Sequence, residues 1–229
     1  MSVYVKQSGA WEETDALYVK QSGSWTTIKE VYVKESGNWR KAAPDAGTYS
    51  QTSAGTGSFV VPAMVTEINI TSIVAAGGGG SAVWFCGDGY PGGGGGSGGF
   101  QTNQTLAVVP GETVNVTVGA GGAALSFILC SASSRYGLPG GDSTITTSAG
   151  SITVTGGAGG TYGQPGGGGA GGSPGGTGGN SGSGLLGGAG GTNGTGYGSG
   201  GRGGNITSPD SSKGGLPGGS GAIFVTWGT

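Results

Sequence analysis

The sequence predicts an all-β protein with essentially no α-helix, in which β-hairpin repeats precede a β-sheet domain that holds a glycine-rich tract. Three observations predict this class. A short unit recurs near the N-terminus, alternating apolar segments of strand length follow, and glycine supplies 61 of the 229 residues. No segment has the 3.6-residue apolar period of an amphipathic helix. An antiparallel sheet or sandwich is therefore expected around an unusual glycine-rich element.

The N-terminal repeat has a period of 14 residues, with units that begin at Tyr4, Tyr18 and Tyr32 and reach Trp11, Trp25 and Trp39. Each unit reads Tyr-Val-Lys, then a Gln/Glu-Ser-Gly turn, then Trp, which predicts one β-hairpin per repeat. We expect Gly9, Gly23 and Gly37 to supply positive φ at the turns, with each Trp packed on the facing Tyr and Lys6, Lys20 and Lys34 stacked over Trp. The hairpins could form a six-strand meander or three faces of a small prism.

A change in composition divides the chain. More than half of the charged residues fall within residues 1–42, and the rest of the chain is almost uncharged. We therefore assign 1–42 to hairpin repeats with an assembly or attachment role, 43–56 to a linker, and 57–229 to a glycine-rich β domain. A lone hairpin is marginally stable in water, so the repeats are expected to need a partner surface.

About seven short strands are predicted after residue 56. In one of them Val65, Glu67, Asn69 and Thr71 are expected on one face and Ile68 and Ile70 on the other, which is the alternation of a β-strand. The predicted segments are 57–62, 65–75, 106–112, 113–118, 143–147, 151–155 and 222–227. This number of strands is enough for a sandwich or a curled antiparallel sheet.

The glycine tract spans residues 156–221, and a shorter tract spans 77–99. Its glycine pairs recur with a three-residue rhythm, which is the period of the polyproline II helix. Glycine at most positions would let such helices pack side by side and hydrogen-bond to one another, as a bundle of polyglycine II helices. Thr177, Asn180, Ala189 and Thr192 would then face outward or lie at turns. The alternative is a flexible low-complexity linker.

Composition argues against several classes of function. The net charge is −2 and only 9% of residues are charged, so no electrostatic footprint for nucleic acid or for an anionic membrane is present. No apolar run predicts a membrane-inserted segment or a signal peptide. With no histidine, and with Cys86 and Cys130 alone, we expect no metal site and no cofactor; the two cysteines could be free thiols or a disulfide.

Catalysis is not expected either, because general acid–base chemistry lacks its usual histidine. A carboxylate pair such as Asp88 and Asp142 is the alternative that remains open, as in glycosidases. Turn aspartates are the commoner explanation, and we predict that the chain is not an enzyme.

An ordered set of motifs carries a family resemblance. It runs through Phe59–Pro62, Val65–Ile68, Ala75–Gly80, Pro91–Gly96, Val109–Gly122 and Ile223–Trp227, with glycine blocks between. This set resembles the glycine-rich domain of bacteriophage tail-fibre and tail-tip proteins, from about residue 57 to the C-terminus. The resemblance implies a virion component of adhesin type that packs polyglycine II helices into a rigid sandwich and binds a host surface through loops at one end.

The loops that the resemblance implies as receptor contacts interrupt the glycine blocks at 83–90, 125–136, 160–164, 184–187 and 194–202. Their large or cationic side chains are Trp84, Phe85, Tyr90, Phe127, Arg135, Tyr136, Tyr162, Leu185, Leu186, Tyr197 and Arg202. Exposed aromatic and aliphatic groups in a rigid frame are typical of contact surfaces. The assembly candidates are Tyr4, Trp11, Tyr18, Trp25, Tyr32 and Trp39.

The expected partners follow from this reading. They are further copies of the chain in a homo-oligomer, for which a trimer is the first guess, other tail-fibre or virion proteins, and a bacterial surface glycan or outer-membrane protein. The expected location is the virion, with no nucleic-acid partner and no membrane insertion. The alternative functions are a purely structural fibre or decoration subunit, and an ice-binding protein with flat Thr/Ala faces.

Overall fold

The structure is a computed structural model of the chain. It describes residues 3–7, 10–14, 18–27, 31–41, 44–81, 84–86, 88–125, 136–162, 166–183, 185–205 and 214–228. Within these ranges every regular element is a strand, so the all-β prediction is confirmed.

Each N-terminal repeat forms one antiparallel hairpin, as predicted. The strands are β1 (Val3–Gln7) with β2 (Ala10–Thr14), β3 (Tyr18–Gln21) with β4 (Ser24–Thr27), and β5 (Tyr32–Glu35) with β6 (Asn38–Lys41). The second and third hairpins turn at Ser22-Gly23 and Ser36-Gly37, where all four residues have positive φ. Two consecutive positive φ values are the mark of the type I′ turn, whose twist suits a two-residue hairpin. Gly9 lies outside the described residues.

The register of the hairpins corrects one prediction. Each Trp faces a Lys across the hairpin and not a Tyr, because Gln21 pairs with Ser24 at the turn and therefore Lys20 pairs with Trp25. The same register holds in the other two repeats. The Nζ atoms of Lys20 and Lys34 lie 5.9 Å from the ring centroids of Trp25 and Trp39, so the predicted lysine stacking is confirmed in these two hairpins. Among the described strands the hairpins are three separate two-stranded sheets, and no six-strand meander forms.

Two four-stranded antiparallel sheets form a sandwich after the repeats. The first has the order β12-β9-β16-β7, from β7 (Gly47–Gln51), β9 (Glu67–Val74), β12 (Phe100–Ala107) and β16 (Ala222–Trp227). The second has the order β15-β14-β13-β8, from β8 (Gly55–Val60), β13 (Thr113–Val118), β14 (Ser143–Thr147) and β15 (Gly150–Val154). A short hairpin, β10 (Trp84–Cys86) with β11 (Asp88–Tyr90), lies outside the sandwich.

The sandwich core is aliphatic. Ile68, Ile70 and Ile73 from β9 are fully buried against Val114, Val116, Ile145, Ile223 and Val225. Within the strand the predicted alternation is confirmed, since Ile68 and Ile70 are buried whereas Glu67 is exposed. Val65, which was predicted on the face of Glu67, precedes the strand and is buried in the core. Burial of this many branched side chains is the main stabilising contribution to the sandwich.

Two boundaries differ from the prediction. The stretch 43–56, expected to be a linker, contains β7, which pairs with β16 along five residues from Gly47 to Gln51. Its sequence, GTYSQ, has no apolar run, and its polar alternation marks an edge strand. The strand also contributes an aromatic contact: the ring of Tyr49 stacks on that of Phe59, with centroids 4.7 Å apart, and Phe59 stacks on Trp227 at 5.3 Å. Strand β12 begins at Phe100, earlier than the predicted Leu106.

The glycine-rich segments are joined by backbone hydrogen bonds with a three-residue period. Along residues 92–100, successive N–H groups donate at 2.7–3.2 Å to three different segments in turn. Residues 92, 95 and 98 donate to 204, 201 and 198; residues 93, 96 and 99 to 161, 158 and 155; and residues 94, 97 and 100 to 180, 177 and 174. The period of three is the one that the predicted polyglycine II conformation would produce.

Two inner segments, 75–81 and 92–99, are completely buried and are each hydrogen-bonded to six neighbouring segments, counting each other. The pattern of bonds arranges the segments in three layers. The middle layer is 119–123, 75–81, 92–99 and 176–182; one outer layer is 214–221, 198–204 and 187–191; the other is 137–141, 156–161 and 166–172. We call this arrangement the glycine bundle. Its described part is a hydrogen-bonded body and not a flexible linker.

Close approach of backbones explains the glycines. A Cβ built on Gly78 would lie 2.1 Å from the carbonyl oxygen of Ala158, and one on Gly94 would lie 2.1 Å from that of Ala189. At these two positions a side chain would therefore overlap the neighbouring backbone, and only glycine fits. Thr177, Asn180, Ala189 and Thr192 are all exposed, as predicted for the third positions.

Candidate functional site

The glycine bundle has two different ends. Residues 75, 119 and 155 directly follow strands β9, β13 and β15, so these segments leave the sandwich at one end of the bundle, here called the sheet end. Their other ends, near 81, 123 and 161, lie together at the opposite end, here called the tip. The bundle therefore extends from one end of the sandwich, and the tip is the end that lies away from the sandwich.

Buried side-chain hydrogen bonds tie the backbone together at the tip. The Ser81 hydroxyl donates to the carbonyl oxygen of Thr161 at 2.8 Å and accepts from the N–H of Gly93 at 2.8 Å. Ser97, further along the inner segment 92–99, makes a similar bond: its hydroxyl accepts from the N–H of Thr177 at 2.9 Å. Both serines are fully buried. The sequence analysis did not single them out; serine inside an otherwise all-glycine run is the signal that could have identified them.

Leu185 and Leu186 form the most exposed apolar feature of the described tip. They are 62% and 65% exposed, and they lie in a tight turn in which Ser183 and Leu186 exchange two backbone hydrogen bonds of 2.9 Å. The adjoining Gly187 N–H donates to the Asn205 side chain at 2.7 Å. Because the backbone on both sides is bonded, the two leucines project from a fixed support.

Three of the predicted contact tyrosines also lie at the tip. Tyr136 is 52% exposed, and its ring lies 5.2 Å from that of Tyr162 at an interplanar angle of 60°. Tyr90 is half-buried and precedes Pro91, whose carbonyl oxygen accepts from Gly166 at 3.2 Å. The structure thus brings Tyr136 and Tyr162 together from segments that are separated in sequence.

Other predicted contacts are only partly described. Trp84 and Phe85 lie on β10, paired with Tyr90 and Gly89 of β11, and only their backbone is described. The predicted contacts Phe127 and Arg135, and Cys130 as the candidate partner of Cys86, lie outside the described residues.

Tyr197 is separate from the tip, which corrects the expectation that all the loops share one end. It lies in the turn 192–197 at the sheet end, with its ring 5.8 Å from that of Phe224 on β16. The separation arises because segment 187–191 runs back toward the sandwich before 198–204 runs out again. Arg202 is exposed on the flank of segment 198–204.

The predicted assembly residues present large rings to solvent where they are described. Trp25 and Trp39 are 69% and 68% exposed, and Tyr32 is exposed as well. Tyr4, Trp11 and Tyr18 lie on their predicted strands, with only the backbone described. We call the exposed rings of Trp25, Tyr32 and Trp39 the repeat surface.

Candidate metal ligands and catalytic carboxylates are few among the described residues. Within the described ranges, no group of three or more His, Cys, Asp or Glu residues is placed to hold a metal ion. Asp142 accepts a hydrogen bond from the N–H of Gly156 at 2.8 Å, which is the role of a turn carboxylate. No helix suited to crossing a membrane occurs among the residues that the structure describes.

Residues 51–228 match the family described as glycine-rich domain, which covers most of the chain. The chain therefore belongs to this glycine-rich domain family. A search of curated proteins found no match.

Proposed function

We propose that this protein is a bacteriophage tail-fibre or tail-tip component that binds the host-cell surface through the tip of the glycine bundle. The observation that carries the proposal is the exposure of Leu185, Leu186 and Tyr136 at one end of a body held by backbone hydrogen bonds. Large apolar groups on a fixed support lose little conformational freedom on binding, which favours affinity. The target would be a bacterial surface glycan or an outer-membrane protein.

The support itself is proposed to be a bundle of polyglycine II helices. The three-residue period of the hydrogen bonds and the six neighbours of each inner segment support this assignment. In such a bundle each backbone donates to its neighbours, so tip loops of varied sequence could be exchanged without changing the frame. That property suits a protein whose target surface differs between hosts.

The repeat surface is proposed to attach the protein to further copies of itself or to other virion proteins. Its exposed tryptophans and the isolation of each two-stranded sheet support this role, because a lone hairpin is marginal in water. A trimer, a closed assembly with threefold symmetry, is the first guess for the assembly.

Whole-cell binding tests the receptor role. Fluorescently labelled full-length protein is incubated with a panel of bacterial strains, and the double variant Leu185→Ser/Leu186→Ser is compared with the unaltered protein. Strain-selective binding that falls at least tenfold in the variant is expected. Val109→Ser is the matched control, because Val109 is 57% exposed but lies beyond the strands, away from the tip.

The alternative is a structural fibre or decoration subunit without receptor binding. Such a subunit would not select among strains, and its cell association would be the same in the leucine variant and in the Val109 control. That result would overturn the proposal.

A further inference from the structure

We propose that a second binding site, for one neutral sugar unit, lies at the sheet end of the glycine bundle. The site is an open cavity of about 270 Å³ lined by Thr192, Asn193, Gly194, Gly196, Tyr197 and Ser199. Its position is distinct from the tip, so the proposal goes beyond the receptor role argued above and does not depend on it.

The cavity is built by a turn whose shape is fixed by its own contacts. The Asn193 side-chain amide donates to the carbonyl oxygen of Gly98 on an inner segment at 3.2 Å, and its oxygen accepts from the Thr195 hydroxyl at 2.8 Å. Thr192 N–H donates to the Thr177 hydroxyl at 2.8 Å. These bonds anchor both the middle and the start of the turn to the bundle, so the cavity exists before any ligand binds.

Glycine keeps the cavity open. Gly194 and Gly196 have φ of 74° and 81°, and a Cβ built on either would meet nothing within 4 Å. Among the described residues, the N–H groups of Gly194 and Gly196 donate to no acceptor. Unpaired backbone donors beside an open space are free to bond to a ligand's oxygens.

Tyr197 supplies an aromatic wall. Its ring is tilted at 56° against Phe224 of β16, which holds one side of the ring, while the residue also lines the cavity. A tyrosine ring offers an apolar face together with a polar hydroxyl. The C–H bonds on one face of a pyranose ring form a matching apolar surface, and its hydroxyls match the hydroxyls of Thr192 and Ser199.

The size and the charge of the cavity limit the class of ligand that it can bind. No Asp, Glu, Lys or Arg lines it, so a charged ligand would have no counter-ion there. Its volume lies just below the range of sites for drug-sized molecules, which suits a single sugar ring of a longer chain. The ligand class is therefore a neutral hexose unit of a polysaccharide.

Saturation-transfer NMR of the full-length protein with free glucose, galactose and mannose tests the site. We expect transfer to at least one of these hexoses at millimolar concentration, and weaker transfer to glucuronate. Tyr197→Leu, which keeps apolar volume but removes the flat ring, should weaken binding at least tenfold. Tyr197→Phe, which retains the ring, should stay within about threefold of the unaltered protein.

The tip variant Leu185→Ser/Leu186→Ser is the control and should bind the hexose normally, which separates this site from the receptor site. Thermal melting of each variant establishes that it is folded. Absence of transfer to every neutral hexose, preference for glucuronate, or unchanged binding in a folded Tyr197→Leu variant would each overturn the proposal.

Discussion

The carbonyl oxygen of Gly78 occupies the space that a side chain at position 95 would need: a Cβ built on Gly95 would lie 2.1 Å from it. Next to this contact, the N–H of Gly78 donates to the carbonyl oxygen of Gly96 at 2.9 Å. The two inner segments therefore touch backbone to backbone, and glycine at these positions is required by packing.

Gly95→Ala should destabilise the protein, because its methyl group would push the inner segments apart and weaken their hydrogen bonds. Overpacking of this kind costs about 1–3 kcal/mol, and strained or broken hydrogen bonds add to it. The measurement is the free energy of unfolding, from denaturant melts followed by tryptophan fluorescence.

Gly150→Ala is the matched control for that variant. Gly150 has no atom within 4 Å of an added Cβ, so the same chemical change should have little effect or stabilise slightly. Equal free energies of unfolding for the two variants would mean that the backbones of the inner segments are not in contact.

Tyr136 and Tyr162 should be energetically coupled. Their rings lie 5.2 Å apart in a tilted arrangement, and aromatic pairs of this kind contribute about 0.5–1.5 kcal/mol beyond their buried area. A double-mutant cycle with Tyr136→Ala and Tyr162→Ala is expected to give a coupling energy in that range. Tyr136 paired with Tyr197, which lies at the other end of the bundle, should give additive effects.

Glu112 should make stability depend on pH. Its carboxylate accepts from the N–H groups of Val109 and Ser148, both at 3.1 Å, and so joins two turns. The side-chain hydrogen bond from Ser148, together with these backbone bonds, lowers the pKa of Glu112 below its ordinary 4.5. A lowered folded pKa means that the stabilisation is present above the unfolded value and is lost as pH falls through the folded one.

Glu112→Gln should therefore lower Tm at neutral pH, and the difference from the unaltered protein should shrink once the pH falls below the ordinary glutamate pKa. Glu67→Gln changes an exposed carboxylate on β9 and serves as the control. A Tm difference for Glu112→Gln that is constant across this range would contradict the role of the carboxylate charge.

Trp25→Ser combined with Trp39→Ser should disrupt assembly and leave the glycine domain folded. Both rings are largely exposed on hairpins that form separate sheets, so their loss removes contact surface but no core. Light scattering is expected to report a smaller particle with an unchanged Tm for the main domain. Deletion of residues 1–42 should give the same reduced number of chains per particle. An unchanged oligomeric state in both variants would show that the repeat surface does not mediate assembly.

The regular parts of the fold could be predicted because they have local signals. The 14-residue repeat, its Ser-Gly turns and the Ile68/Ile70 alternation each reflect backbone geometry within a few residues. Strand β7 had no such signal, since its GTYSQ sequence is stabilised by pairing with β16 from the far end of the chain. The predicted facing of Trp and Tyr was wrong because the register depends on whether the turn has two residues or three, and the two-residue turn pairs Trp25 with Lys20.

For the candidate site, only the types of residue that form contacts could be predicted from the sequence. Large residues among glycines indicated contact positions. Which of these residues lie close together depends on the path of the chain through the bundle. Whether a loop lies at the tip or at the sheet end is decided by the number of segments between it and a strand. Tyr197 was therefore grouped with residues such as Leu186, although it packs against Phe224 at the other end.

The most direct test of the account is hydrogen exchange of the backbone amides in the inner segments 75–81 and 92–99, resolved by NMR. If the glycine bundle is a packed frame, these amides should exchange as slowly as those of strand β9, because both are buried and hydrogen-bonded. Exchange at the rate of an unstructured peptide, with β9 still protected, would contradict the account and make the glycine tract a flexible linker.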